Sequence, residues 1–308
     1  MTRLLAFAAV ALLGVAALSG TWSSGPALPV ARSEVAVATL DDDIYVIGGY
    51  ANGNVDQDLV ERFEVQSATW KAVASLPRGL NHVGAVGYHG KLYVFGGFSE
   101  QNNAAVADAN VFDPVTAEWT PIAPLPSPLG SVSVAVLADE IHLVGGRDQH
   151  SVRTHFVYDP ATNGYSKRAP LPVGRDHMGL AAVNGKLYAV GGRIDTPAHN
   201  TAYVDIYDPQ TAAWSAGAPM PDARSGMAVA VYNGIIFAIG GEQRGMTAAF
   251  TTNEGYDPAE NRWSEYAPLP EGRHGTGAVV VEGKLYVPAG APVPGGGQQS
   301  NSLLEFTP

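Results

Sequence analysis

The chain contains no cysteine. That excludes disulfides, zinc ribbons, iron–sulfur clusters, thiol catalysis and lipoprotein lipidation. Charge is sparse. Charged residues make up 15% of the chain, with 18 basic against 29 acidic side chains and a net charge of −11. A molecule of that sign does not draw in nucleic acid or an anionic membrane. There is no glycine-rich phosphate loop with its lysine, no His-Glu-x-x-His and no Gly-x-Ser-x-Gly. Beyond residue 18 no run is long and apolar enough to cross a bilayer.

What is abundant is glycine and proline, 36 and 22 residues in 308. Long helices do not tolerate that many breakers, whereas many short strands and tight turns need them. A hydrophobic share of 46% is enough for a packed core.

Residues 1–19 differ from the rest. Arg3 is followed by an uncharged run from Leu4 to Leu18, and Ala17-Leu18-Ser19 ends it with small residues where a signal peptidase reads. This predicts a signal peptide cut before Gly20, a mature domain 20–308 one charge more negative, and an exported, periplasmic or extracellular location. An uncleaved membrane anchor is the alternative.

A repeat fills the remainder. Ile44-Tyr45-Val46-Ile47-Gly48-Gly49 returns as Leu92 to Gly97, Ile141 to Gly146, Leu187 to Gly192, Ile235 to Gly241 and Leu285 to Gly290. Trp22, Trp70, Trp119, Tyr165, Trp214 and Trp263 keep the same beat. Each unit reads as four strands. A small-residue and valine strand a leads through turns such as Asn184-Gly185 into strand b, which ends on the glycine pair. A polar loop leads to strand c, closed by Asp-Pro turns as at Asp113-Pro114, and strand d begins near the tryptophan.

Glycine pair, spaced Tyr and Trp, and Asp-Pro turn at this period resemble the Kelch repeat. The resemblance covers 20–308 and implies an all-β fold, a six-bladed Kelch β-propeller. The third repeat departs with His142 and Tyr165, the sixth with Pro288-Ala289; slightly poorer packing is expected in both. The sixth repeat stops at Phe306, so the strand around Trp22 is expected to complete the last blade and remove an open edge. Trp70, Trp119, Trp214 and Trp263 are expected to lie buried between blades.

Strands alternate in direction, so the b–c and d–a loops share one face. Those loops vary most, and functional residues concentrate on such loops. Arg32, Arg175, Arg224 and Arg273 share one repeat position at the start of strand a; Arg147 and Arg193 follow glycine pairs and Arg244 lies in the fifth b–c loop. Arginines gathered at the channel mouth of an acidic protein predict an anionic, carboxylated ligand. An arginine serving a neighbouring backbone is the competing reading. Blades two and three have Leu80 and Leu129 there, which argues against a purely structural role. Two residues on, Glu34, His82, Ser131, His177, Gly226 and Gly275 are expected on the same side as the arginines, and Glu34, His82 and His177 are the candidate acid–base groups. They come from the first, second and fourth blades, so a channel is expected to hold them too far apart for one metal ion; no metal or cofactor is expected. The loop Arg147 to His155 is the densest polar cluster.

Two functions remain open. One is a secreted, monomeric binding module for an anionic small molecule, a glycan or an acidic protein segment, without catalysis. The other is a periplasmic acidic-sugar epimerase or mutarotase, resembling the sialic acid enzyme among bacterial Kelch propellers; anomer exchange needs only proton transfers. The copper chemistry of the Kelch-fold galactose oxidases needs a cysteine joined to a tyrosine and is excluded.

Overall fold

The computed structural model describes residues 18–308. Residues 1–17, which carry all but the end of the expected export segment, lie outside the described residues. Among the described residues no helix is long and apolar enough to cross a membrane.

Six four-stranded antiparallel sheets surround a channel. The inner strands a are Ala36–Leu40, Gly84–Tyr88, Ser133–Leu137, Gly179–Val183, Ala228–Tyr232 and Val279–Val281. Their small residues let six sheets converge. At Gly87 a Cβ would lie 1.9 Å from the Thr39 carbonyl oxygen of the adjoining blade. Thr21–Gly25 pairs with Leu303–Thr307 in the register Trp22↔Phe306, so the first described strand completes the last blade as expected. Both divergent blades form, and the sixth has the shortest inner strand, with three residues.

The core is a ring of six apolar clusters, each shared by two neighbouring blades. Tyr45 and Ile47 of blade one meet Leu92 and Phe112 of blade two, for example, and Ile44 and Phe63 meet Tyr286 and Leu303 of blade six. The repeated tryptophans pack at the outer rim of these inter-blade clusters, as expected of their place between blades, but are less buried than expected. Trp70, Trp119, Trp214 and Trp263 are half-buried on the outer strands. Each ring packs on the aromatic directly opposite, at 4.9 Å from Phe63, 5.2 Å from Phe112, 5.3 Å from Tyr207 and 5.2 Å from Tyr256. Each indole N–H donates to a backbone carbonyl of the preceding linker: Pro26, Ala74, Ala169 and Ala218. Trp22 does the same to Ala267, and the Tyr165 hydroxyl to Ala123. Tyrosine replaces tryptophan in blade three without breaking the set.

Candidate functional site at the channel mouth

A residue shortly before each strand a, two positions ahead of it in blades one to five and four in blade six, is in the left-handed region: Glu34 (φ 54), His82 (51), Ser131 (52), His177 (51), Gly226 (63) and Gly275 (63). Backbone bonds link them around the channel: His82 N–H to Glu34 O at 3.0 Å, Ser131 N–H to His82 O at 2.9 Å, Gly226 N–H to His177 O at 2.9 Å and Gly275 N–H to Gly226 O at 3.0 Å. Two of the six are glycine, the residue that conformation favours; four carry a side chain there at a cost of about 1 kcal/mol or more each. Such strain persists where the side chain is needed.

That left-handed residue breaks the two-residue alternation of a strand, so Arg32 and Glu34 point differently. The expected arginine ring is not at the mouth. Arg32, Arg175 and Arg224 are fully buried and Arg273 nearly so. They turn into their own blades. Arg32 donates to the carbonyls of Gly48 (2.8 Å) and Leu59 (2.9 Å) and pairs with Glu61 at 2.7 Å. Arg175 donates to Gly191 O at 2.8 Å and pairs with Asp205. Arg224 pairs with Glu254 at 2.7 Å, and Arg273 with Glu271 at 3.1 Å. Buried charge is tolerable only when paired and hydrogen-bonded in this way. Blades two and three, which have Leu80 and Leu129, also lack the acid: the strand c positions equivalent to Glu61, Asp205 and Glu254 are Asn110 and Phe156. The leucines therefore replace half of an ion pair whose other half is gone as well, and their presence does not count against a structural role.

What does converge at the mouth is Glu34, His82 and His177. Their donor atoms lie within 4.8 Å of one another, and the two imidazole rings are 4.7 Å apart, centre to centre. The expectation that the channel separates them is wrong, because the inner strands converge so tightly. Glu34 Oε2 is 2.9 Å from His82 Nε2, and His82 Nδ1 is 2.5 Å from Asn81 Oδ1. The Asn81 amide nitrogen is held by Asp56 and the Phe98 carbonyl, which fixes its oxygen toward His82. Both His82 nitrogens thus face acceptors, and an imidazolium satisfies both. Burial works to raise the Glu34 pKa; the His82 charge and hydrogen bond outweigh it and hold the carboxyl well below the usual carboxylate range.

His177 is different. Its Nδ1 faces Asp176 Oδ1 at 2.5 Å and its Nε2 faces the Arg193 guanidinium at 2.9 Å. A guanidinium can only donate, so Nε2 accepts and the ring is neutral. Burial and the Arg193 charge bring its pKa down to about 3. Arg193 also bonds Asp176 at 3.0 Å and Glu242 at 2.8 Å. At Asp176 burial acts upward, but the His177 and Arg193 partners and the Ser151 hydroxyl keep it ionised.

Over this floor lies a cavity of about 480 Å³, walled by Tyr50, Asn102, Thr196 to Ala198, Glu242 to Gly245 and Pro294. Of the expected ligand-binding arginines, Arg193 and Arg244 line it. Arg244 is exposed and makes no ion pair among the described residues, whereas Arg147 sits apart over the Phe98 ring. The polar loop from Arg147 to His155 splits. His150 is on the surface, Ser151 bonds Asp176, and His155 turns into the blade against His142 at 2.9 Å.

Among the site residues that escaped sequence reasoning are Asp176, Glu242 and His274. Their signal was the repeat frame. Glu242 follows its glycine pair as Arg147 and Arg193 do. Asp176 and His274 each precede a left-handed position.

Comparison with known proteins agrees with this architecture. Residues 19–170 match the model of the KLHDC2/KLHL20/DRC7 Kelch-repeats domain, and residues 174–221 and 223–270 each match the Kelch motif. The chain belongs to the Kelch-repeat β-propellers. Kelch-like protein 35 of Homo sapiens is 48% identical over 136 residues, 44% of this chain and 22% of that protein; the Mus musculus protein is 30% identical over 139 residues, 45% and 23%. The match therefore spans less than a quarter of those relatives. The solved structure of YjhT superposes with a TM-score of 0.80 at 18% identity, covering 92% of this Kelch chain and 97% of that one. At that identity the likeness is one of fold.

Proposed function

We propose that this Kelch propeller binds a small hydroxylated molecule carrying a carboxylate, of the acidic-sugar class, in the cavity at the channel mouth. The observation that carries the reading is the cavity itself: about 480 Å³, a sugar-sized space, with ionisable groups on its floor and the unpaired Arg244 on its wall. Arg244 supplies a two-pronged donor for a carboxylate. Glu242, Asn102 and the Glu34–His82 pair supply partners for hydroxyls. The anion would thus be read by one loop arginine rather than by a ring of four. Export through residues 1–19 would place the site in the periplasm or outside the cell.

The test is titration calorimetry with sialic acid, a uronic acid and their neutral counterparts. A charged hydrogen bond is worth about 1.5–3 kcal/mol, so Arg244→Met is expected to weaken the acidic sugars about tenfold to a hundredfold. Arg224→Met should leave affinity unchanged. Equal binding of acidic and neutral sugars, or of parent and Arg244→Met, would refute the reading.

The floor also favours a second reading, anomer exchange of the same ligand. The His82 imidazole stands 2.9 Å from the Glu34 carboxylate. In ring opening His82 would give its proton to the ring oxygen as the C–O bond breaks, and Glu34 would take the proton of the anomeric hydroxyl as the carbonyl forms; closure returns both. Glu34→Gln would then abolish exchange followed by NMR while leaving affinity within about tenfold.

A further inference from the structure

We propose that Glu34, Glu242 and His274 form a binding site for a divalent metal cation beside the channel mouth, a site that shares Glu34 and Glu242 with the ligand cavity but does not rest on the ligand reading above. The three residues come from blades one, five and six. His274 is 1% exposed. Its Nε2 lies 2.6 Å from the Val293 carbonyl oxygen, which can only accept. Nε2 therefore carries a proton, and in the neutral ring Nδ1 presents a lone pair. Nδ1 is buried and has no hydrogen-bond partner. It faces Glu34 Oε1 at 3.6 Å and Glu242 Oε2 at 3.8 Å.

A lone pair set against two carboxylate oxygens is repulsive unless positive charge lies among them. The separations are too long for hydrogen bonds. They suit two donors that share one ion at about 2.0–2.2 Å from each. The supporting contacts are those a metal site needs. A backbone carbonyl orients the imidazole through its other nitrogen. Glu34 is held through Oε2 by His82 at 2.9 Å, and Glu242 through Oε1 by Arg193 at 2.8 Å and through Oε2 by the Gly295 N–H at 3.0 Å. There is room as well. Gly226 has no side chain where blades one to four do, and a Cβ there would stand 3.6 Å from His274 Nδ1. Glu34, Glu242 and Gly295 line the cavity, so one side of the ion would face it and keep a position for water.

One imidazole with two carboxylates suits the zinc, cobalt and nickel class better than magnesium or calcium. The neighbouring trio of Glu34, His82 and His177 is the weaker candidate. The His177 lone pair is already committed to Arg193 at 2.9 Å. A cation there would stand against a fixed guanidinium.

The experiment uses protein stripped with a chelator, then titrated with Zn²⁺ by calorimetry and with Co²⁺ by visible absorption. His274→Gln and Glu242→Gln are tested beside it, with His89→Asn/His150→Asn as a surface control. The expected result is one ion per chain, affinity at least about a hundredfold lower in His274→Gln, and no change in the surface variant. If His274→Gln does not fold, Glu242→Gln alone decides. Two outcomes overturn the proposal: no ion bound by the parent, in which case a proton on Nδ1 supplies the missing charge, or affinity unchanged in both mouth variants. Sugar titrations in chelator keep this result separate from the ligand reading.

Discussion

The buried arginines can be tested by transplanting one blade's solution into another. Arg224 is fully buried, pairs with Glu254 at 2.7 Å and donates to the Ala238 carbonyl at 3.2 Å. Blade three fills the same two places with Leu129 and Phe156, both buried. Arg224→Leu alone strands Glu254 as an unpaired buried charge. Breaking such a pair costs about 3–5 kcal/mol. At about 2 °C per kcal/mol for a chain of this size, the melting temperature falls by roughly 6–10 °C. Glu254→Phe alone strands the arginine and is expected to cost as much. The double variant removes both charges, and replacing a whole buried pair by packed apolar residues is about neutral or better. The cycle should therefore show a coupling of several kcal/mol, well beyond the ~0.5 kcal/mol scatter of independent sites. The assay is thermal and urea unfolding of the four proteins, with sugar titration run alongside. Additive losses would refute the ion-pair account. A single Arg224→Leu that melts like the parent but loses an anionic ligand would restore the arginine ring as a binding site.

Three further outcomes are expected. Burial holds the contacting His142 and His155 at a pKa of about 4, below the 6.5 of an unfolded chain. The unfolded chain takes up protons first, so their contribution is present above pH 6.5 and lost as pH falls toward 4, at up to about 3 kcal/mol each. His142→Tyr/His155→Val restores what blades one and four carry at Tyr45 and Val60, and at Tyr188 and Val204; it should flatten that limb of the melting profile, and an unchanged limb would refute the assignment. Trp214→Phe keeps the ring but loses the N–H to Ala169 O, and should cost about 1 kcal/mol in urea unfolding against about 3–5 for Trp214→Ala; equal losses would mean the indole bond contributes nothing. Deleting residues 20–28 exposes the edge of the Leu303–Thr307 strand and should yield dimers or aggregates by size-exclusion chromatography; a monomer melting like the parent would refute closure by the first strand.

The blades were legible in the sequence because each is specified locally. The glycine pair, the Asn-Gly turn and the Asp-Pro turn each fix a backbone geometry within a few residues, and six copies repeat the statement. The site was only half legible for the same reason. Counting along a strand assumes that every residue turns the next to the opposite side. At Glu34, His82 and His177 the backbone is left-handed, and nothing in a Glu or His announces that conformation. Gly226 and Gly275 in the same frame were the available hint: where two repeats have glycine at a strand entrance, the other four bend there too. Reading that bend separates Arg32 from Glu34 and sends the arginine into the blade.

The second failure lay in comparing repeats one position at a time. Leu80 and Leu129 looked like evidence against a structural arginine until Asn110 and Phe156 were set beside Glu61, Asp205 and Glu254. A buried charge and its partner appear together and disappear together, because either alone is far more costly than neither. Blade six shows how strict that coupling is. Leu304 takes the acid's place on strand c, yet Arg273 remains, and it recovers a carboxylate from Glu271 in its own linker and a hydroxyl from Ser302. The mouth follows the opposite rule. Glu34, Glu242, Asp176 and His274 each occur once in the six-fold frame, and no pseudosymmetric copy of any of them is needed to hold a blade. Residues that the repeat does not require, gathered beside the left-handed positions of Glu34, His82 and His177, are where this scaffold departs from its own symmetry, and the cavity opens over them.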